Sequence, residues 1–280
     1  MNSNRYLCQE FIEVEVGCLN PANLSSFKNQ IENYSLPSDK VSILNESMVS
    51  DAKDVFFKSS LSLLEALFSL TRGHSSWAIV KLYYSIFYSL RTYLLLNGYA
   101  IFKNGNGGIY FIRCESDSTP VCISTRKIRG DHKTTIKAFC DFFPNHKLNT
   151  NTIDSESIFD WAMRCRENVN YRSSSFIEPD YGYEAIPNLR GGRSQLDILV
   201  RSYINDSYYT YCFVKEHSLL ATAFVLSYEI VSIFRHQNIL FLSDERRTVI
   251  HNLLKRSGLL SFKDMVDLFC NNRDVLPLDV

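Results

Sequence analysis

With 280 residues, the chain is long enough to bury an apolar core without disulfides or metal staples. Its 30 basic and 30 acidic side chains cancel, so no global field draws it to nucleic acid or to an anionic membrane surface, and any such binding has to come from a local patch. The opening residues mix Asn, Arg, Gln and Glu with apolar ones, unlike a signal peptide, and no run reaches the roughly 18 to 20 uninterrupted apolar residues of a membrane span. The chain is therefore expected to be soluble and cytoplasmic, with no membrane partner.

In chain order, residues 1–50 alternate short apolar runs with turn formers such as Asn20-Pro21 and Leu36-Pro37-Ser38, which predicts an irregular or strand-containing appendage. From Ser50-Asp51 an apolar stripe through Val55, Leu61, Leu64, Leu67 and Phe68 predicts a helix that stops at Arg72-Gly73. A second helix is predicted over Ser75 to Asn97, ending at Gly98. Apolar residues cover most of its sides, which suits the centre of a bundle or a dimer seam.

The Asn104-Gly105-Asn106-Gly107-Gly108 run breaks the helical period. Ile109 to Arg113 and Val121 to Ser124 read as two short strands, so a small β-hairpin insertion is expected at about 104–126. Helical spacing returns from Asp131 to Phe143, and again from Asp154 through Trp161 to about Tyr171. Four more helices are predicted: Ser194 to Asn205, Lys215 to His236, Asp244 to Arg256 before Gly258, and Phe262 to Cys270. The fold class is mainly α, an antiparallel helical bundle over 51–238 with a β-hairpin insertion and a C-terminal helical extension at 239–280.

The eight cysteines show no CxxC pair and no Cys/His spacing suited to zinc, so they are read as reduced thiols, and no metal or cofactor is expected. Cys114 and Cys122 flank the turn at Pro120 and are the one pair placed for a bridge.

Three stretches resemble the HEPN family. The run Trp77-Ala78-Ile79-Val80-Lys81-Leu82-Tyr83-Tyr84-Ser85-Ile86-Phe87-Tyr88-Ser89-Leu90-Arg91, continued to Leu96-Asn97-Gly98, looks like that family's aromatic second helix. Gly130 to Phe139 is similar to the opening of its third, and Arg166-Glu167-Asn168-Val169-Asn170-Tyr171 resembles the element at the end of its fourth. The matches keep the family's order, spanning roughly residues 60 to 235. The resemblance implies a helical bundle that forms a homodimer through the helices bearing this last element.

In catalytic members, many of them toxins or antiviral effectors, that element carries an Arg-x4-6-His motif that cleaves RNA without metal. There an Arg fork neutralises charge building on phosphorus while a His moves the proton. Here Arg166 is present but Tyr171 stands at the His position, and a phenol with reference pKa of about 10 is a poor base at neutral pH. Literal Arg/His spacings occur at Arg126 to His132 and Arg246 to His251, at a frequency that chance explains. Of these, His132 opens the helix similar to the family's third and is the candidate acid/base from outside the motif.

Arg166, Tyr171 and His132 are thus the candidate catalytic residues, and Arg164, Asn170 and Arg172 the candidate RNA-binding ones. Arg164 and Arg172, eight residues apart on a regular helix, would share a face as a phosphate-sized patch unless Glu167 and neighbours pair them off. The Tyr83, Tyr84, Phe87 and Tyr88 rings read first as core and second as a base-stacking platform. Two functions stand side by side: an RNA-directed effector, with metal-independent endoribonuclease activity as its strongest form, and a non-catalytic interaction module that docks a protein partner encoded nearby.

Overall fold

The computed structural model describes residues 5–125, 128–176, 183–187, 189 and 192–270. The chain is mainly helical, with a small three-stranded antiparallel sheet. It divides into two compact units, one formed by Met1–Val55 and Leu90–Phe142, the other by Phe56–Ser89 and Phe143–Val280.

The first unit holds α1 (Leu7–Glu15), α2 (Lys28–Glu32), the first part of α3 (Val41–Thr71) and the last part of α4 (Ser75–Leu96). It also holds β1 (Tyr99–Lys103), β2 (Ile109–Arg113), β3 (Val121–Cys122) and α5 (Asp131–Phe142). The strands pair antiparallel in the order β1-β2-β3, with Ile101 opposite Phe111 and Tyr110 opposite Cys122. The β1-β2 turn is organised by Asn104, whose side-chain oxygen accepts the N–H of Asn106 and of Gly108, each at 3.0 Å. A Cβ at Gly108 would lie 2.8 Å from the Asn104 side chain, so a larger residue there would displace the amide that organises the turn.

The lead-in over 1–50, expected to be irregular or stranded, is instead largely helical, and α3 begins at Val41, some ten residues before the predicted start. Two long-range contacts explain it. Cys8, Phe11 and Ile12 bury one face of α1, and the α1 N-terminus is capped from across the unit by Asp51, whose two carboxylate oxygens accept the N–H groups of Leu7 (2.8 Å) and Cys8 (2.9 Å). On the outer edge of β1 the Gln9 amide accepts from the Lys103 N–H (2.8 Å) and donates to its carbonyl (3.1 Å), closing an edge that a further strand would otherwise fill. Strand β1 itself lay unpredicted behind Gly98. Its interior positions Ala100, Ile101 and Phe102 are all buried, so it lacks the alternation that marks a half-exposed strand. Helix α5 packs its rings in the same unit, Phe139 on Tyr93 and Phe142 stacked on Tyr99 at 4.2 Å.

The second unit contains the remainder of α3 and α4, then α6 (Ile158–Glu167), α7 (Gly192–Ile204), α8 (Ser218–His236), α9 (Asp244–Ser257) and α10 (Lys263–Cys270). Helix α8 is its axis, with Leu219, Leu220, Phe224, Ile230 and Phe234 fully enclosed. Burying each such side chain contributes about 1.5–3 kcal/mol. By length and composition α8 could cross a membrane, yet most of it is buried inside the protein. Phe56, Phe234 and Phe241 form a ring cluster with centroids 5.3 to 5.6 Å apart, which ties the segment after residue 239 to α8.

Between α3 and α4 the contacts are small. The Ser59 hydroxyl donates to the Ser85 carbonyl at 2.9 Å and lies 2.8 Å from the Ser89 hydroxyl, so the two backbones pass closely with their polar atoms satisfied. Gly258, at a φ of +69°, ends α9 where the sequence places the stop. All eight cysteines are free thiols, Cys114 and Cys122 included.

Removing the remote cap tests this reading of the first unit. Asp51→Ala strands two donors at the start of α1 and is expected to cost about 1–2 kcal/mol, measured as a lower denaturant midpoint. Asp51→Asn, which keeps one acceptor, is expected to fall between the variant and the native chain.

Candidate functional site

Helix α6 starts regularly, with the Ser157 hydroxyl accepting the Asp160 N–H. It does not end regularly. Residues Asn168–Arg172 form a π-type turn, closed by the Ser173 N–H bonding to the Asn168 carbonyl five residues back at 2.9 Å. Such wide turns are rare, and they bring residues five apart onto one face. Arg166 and Tyr171 are such a pair: the Arg166 Cζ lies 5.9 Å from the Tyr171 ring.

The two side chains differ sharply in environment. Arg166 is only 8% exposed, with its guanidinium over the Tyr83 ring of α4 at 4.7 Å. Tyr171 is 74% exposed. Solvent therefore reaches the pair only at Tyr171, and the two side chains do not share the solvent-open groove that the motif suggests. Burial pushes the Tyr83 phenol well up, with Arg166 pulling the other way, so this ring stays neutral beneath the cation.

The charge of Arg166 is thinly compensated. Its closest carboxylate is Glu167 at 3.5 Å, and Glu167 is shared with the exposed Arg172 at 3.4 Å. The buried Nε has no hydrogen-bond acceptor among the described residues. A buried N–H left unpaired costs about 1–3 kcal/mol. A desolvated cation–π contact returns about 2 kcal/mol or more, so the arrangement holds while keeping one donor in reserve.

Each of the other candidates has surroundings of its own. Arg164 donates to Glu156 at 2.9 Å and covers the Trp161 ring at 4.7 Å, so it is occupied away from Arg166. Because the helix widens after Glu167, Arg164 and Arg172 do not share the regular two-turn face assumed for them. Asn170 is half-buried within the π turn. His132 sits in the first turn of α5, in the first unit, whereas the Arg166 cluster belongs wholly to the second. Arg126 lies outside the described residues. Arg246 covers the Phe57 ring at 4.9 Å, on α9.

The aromatic run of α4 splits in two. Tyr83 and Phe87 are core, while between Trp77 and Leu90 only Trp77, Lys81, Tyr84 and Tyr88 escape full burial, at the four-three-four spacing of one helical stripe. Tyr83 and Tyr84 lie 5.6 Å apart and Tyr84 and Tyr88 6.0 Å, so rings run without a break from Tyr88 to the Arg166 guanidinium. At the other end of the stripe Trp77, half exposed, meets Phe176 edge-on at 5.5 Å. Tyr83, the residue that positions Arg166, was grouped with core or stacking rings in the sequence, and its spacing alone does not reveal that role.

Two further polar clusters occur in the second unit. Both oxygens of Glu229 on α8 are engaged, one by His146 Nε2 (3.0 Å) and one by the Tyr209 hydroxyl (2.5 Å). The Leu148 N–H bonds His146 Nδ1, which places the ring proton on Nε2. Tyr203, fully buried, hydrogen-bonds His217 Nδ1 at 2.8 Å. Burial raises the Cys165 and Cys212 thiols to about 12, which makes them poor nucleophiles at neutral pH. Among the described residues no three His, Cys, Asp or Glu side chains converge to hold a metal ion.

Compared with family models, with curated proteins and with solved structures, the chain finds no match in any of the three.

His217 gives the second unit a pH dependence whose sign is fixed. Burial lowers its pKa below the ordinary 6.5, so the unfolded chain takes up the proton first on acidification. Its contribution to stability is present above 6.5 and is lost as pH falls through the window beneath that value. Thermal unfolding followed between pH 8 and about pH 5 is expected to show this loss, and His217→Gln to flatten that part of the profile.

Proposed function

We propose that the chain is a HEPN-like RNA-directed protein in which Arg166 contacts a backbone phosphate and Tyr171 the adjoining base. One observation carries the reading: a guanidinium held on Tyr83, with a buried Nε that no described residue accepts from, next to an aromatic ring that is largely open to solvent. A phosphate oxygen is the acceptor that a guanidinium fork fits, and an exposed tyrosine offers a face to a base. The π turn that aligns the two supports the reading, since such turns concentrate at functional sites.

Binding follows from these groups more directly than cleavage does. Transfer of the 2′-hydroxyl proton needs an acceptor near neutral pH, and in the cluster around Arg166 the motif's His position is filled by Tyr171. The endoribonuclease of a toxin or antiviral system is thus the stronger form of the proposal, and RNA recognition by a homodimer or a monomer the form that the residues support. The deep burial of Arg166 favours a second reading, a non-catalytic module whose Arg166 fastens α6 to α4 and whose surface docks a protein partner.

Fluorescence anisotropy with a short RNA separates the two. Loss of a charge-assisted hydrogen bond, worth about 1.5–3 kcal/mol, means that Arg166→Ala should weaken binding by about tenfold or more. Arg166→Lys, which lacks the fork, should not restore it. Tyr171 is exposed, so Tyr171→Ala should lower affinity without changing the melting temperature, and Tyr171→Phe should retain most of it. RNA bound equally well by the native chain and Arg166→Ala, with both folded, would leave the docking module standing. Incubation of the same RNA without metal reports on cleavage directly.

A further inference from the structure

We infer that the exposed basic surface where α9 gives way to α10 is a second contact for RNA, a phosphate-backbone site that binds without regard to sequence. It rests on the reading of the chain as RNA-directed, and not on the Arg166 contact.

From Arg246 to Lys263 the sequence carries Arg246, Arg247, Lys255, Arg256 and Lys263 and no acidic residue, in a chain whose charges otherwise cancel. Arg246 and Arg247 are engaged, by the Phe57 ring and by Asp244. Lys255, Arg256 and Lys263 are exposed and form no ion pair among the described residues. Exposed Arg193 of α7 joins them, its guanidinium lying against Gly258, the residue that ends α9, in the space a Cβ there would take. Helix α7 then follows the connection into α10, since Arg201, two turns on, pairs with Asp264 at 3.2 Å as well as with Asp197 at 2.9 Å. Arg201 takes up both of these carboxylates, and the four exposed cations stand beside them.

Helix stability explains only half of the set. Lys255 and Arg256 close α9, where the helix dipole favours cations. Arg193 and Lys263 stand in the first turns of α7 and α10, where the dipole disfavours them. Charges kept at an electrostatic cost to their own helices point to a ligand, and a polyanion is what four cations grouped around one helix junction recognise. Asn252, exposed one turn before Arg256, adds a neutral donor of the kind that reaches phosphate oxygens. An anionic membrane fits less well, because α9 turns Ile250 and Leu254 into the protein and, among its apolar residues, exposes only Val249.

The test is anisotropy with a fluorescein-labelled oligoribonucleotide of about 12 nucleotides, using the full chain over a series of salt concentrations. Each cation on a phosphate adds about 0.7 to the slope of log affinity against log salt. Arg193→Gln/Lys263→Gln is therefore expected to lower that slope by about 1.4 and the affinity by about tenfold, and Lys255→Gln/Arg256→Gln to do the same. Melting separates binding from support: Arg193→Gln/Lys263→Gln relieves two helix starts, so its melting temperature should hold or rise while its affinity falls. Native affinity and slope in both variants, beside a defective Arg166→Ala, overturn this contact and leave the Arg166 reading standing. Defective variants beside an unaltered Arg166→Ala do the reverse. A native chain that binds no RNA overturns both. Binding instead to phosphatidylserine vesicles, lost in Lys255→Gln/Arg256→Gln, or displacement of the RNA by polyglutamate as readily as by unlabelled RNA, gives the surface another partner and overturns the inference.

Discussion

The contact of the Arg166 guanidinium with the face of Tyr83 is the interaction from which the site follows. A cation with so little exposure has to recover the hydration it gives up, and here it does so from an aromatic face and a weakly engaged carboxylate rather than from a close ion pair. A tight bidentate carboxylate would have fixed the side chain more firmly and left no donor over. The softer arrangement fastens the end of α6 to α4 and leaves the Nε without an acceptor among the described residues.

Two features of the second unit make that contact reachable. The wide turn after Glu167 rotates Tyr171 onto the Arg166 face, which a continued α-helix would not do. The hydroxyls of Ser59, Ser85 and Ser89 let α3 and α4 approach closely, so α4 can be enclosed on most sides and still present one stripe of rings. Helix α8 supplies the apolar mass on which this depends, and the phenylalanine cluster after it locks the following segment in place.

Much of the helical order was legible in the sequence because the stops are chemical. Gly73, Gly98 and Gly258 sit at positive φ where the chain turns, and the helices between them carry an apolar period. The capping of α1 was not legible, since its acceptor, Asp51, lies more than 40 residues away. Nor was β1, whose interior residues are uniformly buried and so lack the alternation that marks a half-exposed strand. At the end of α6 the motif assumed regular α geometry, where the chain forms a wider turn. The extra residue in the turn, the diversion of Arg164 to Glu156 and Trp161, and the place of His132 in the other unit are consequences of packing that no local pattern encodes.

The most direct measurement is the side-chain Nε–H resonance of Arg166 by proton–nitrogen NMR, assigned by its loss in Arg166→Lys. In the free protein it is expected to exchange slowly with water and to be displaced by the ring of Tyr83, with the displacement reduced in Tyr83→Leu. On addition of single-stranded RNA it should move further and become better protected, as the donor gains a phosphate oxygen. A resonance that stays in place at saturating RNA, or that exchanges freely before RNA is added, would contradict a guanidinium held in reserve for a ligand.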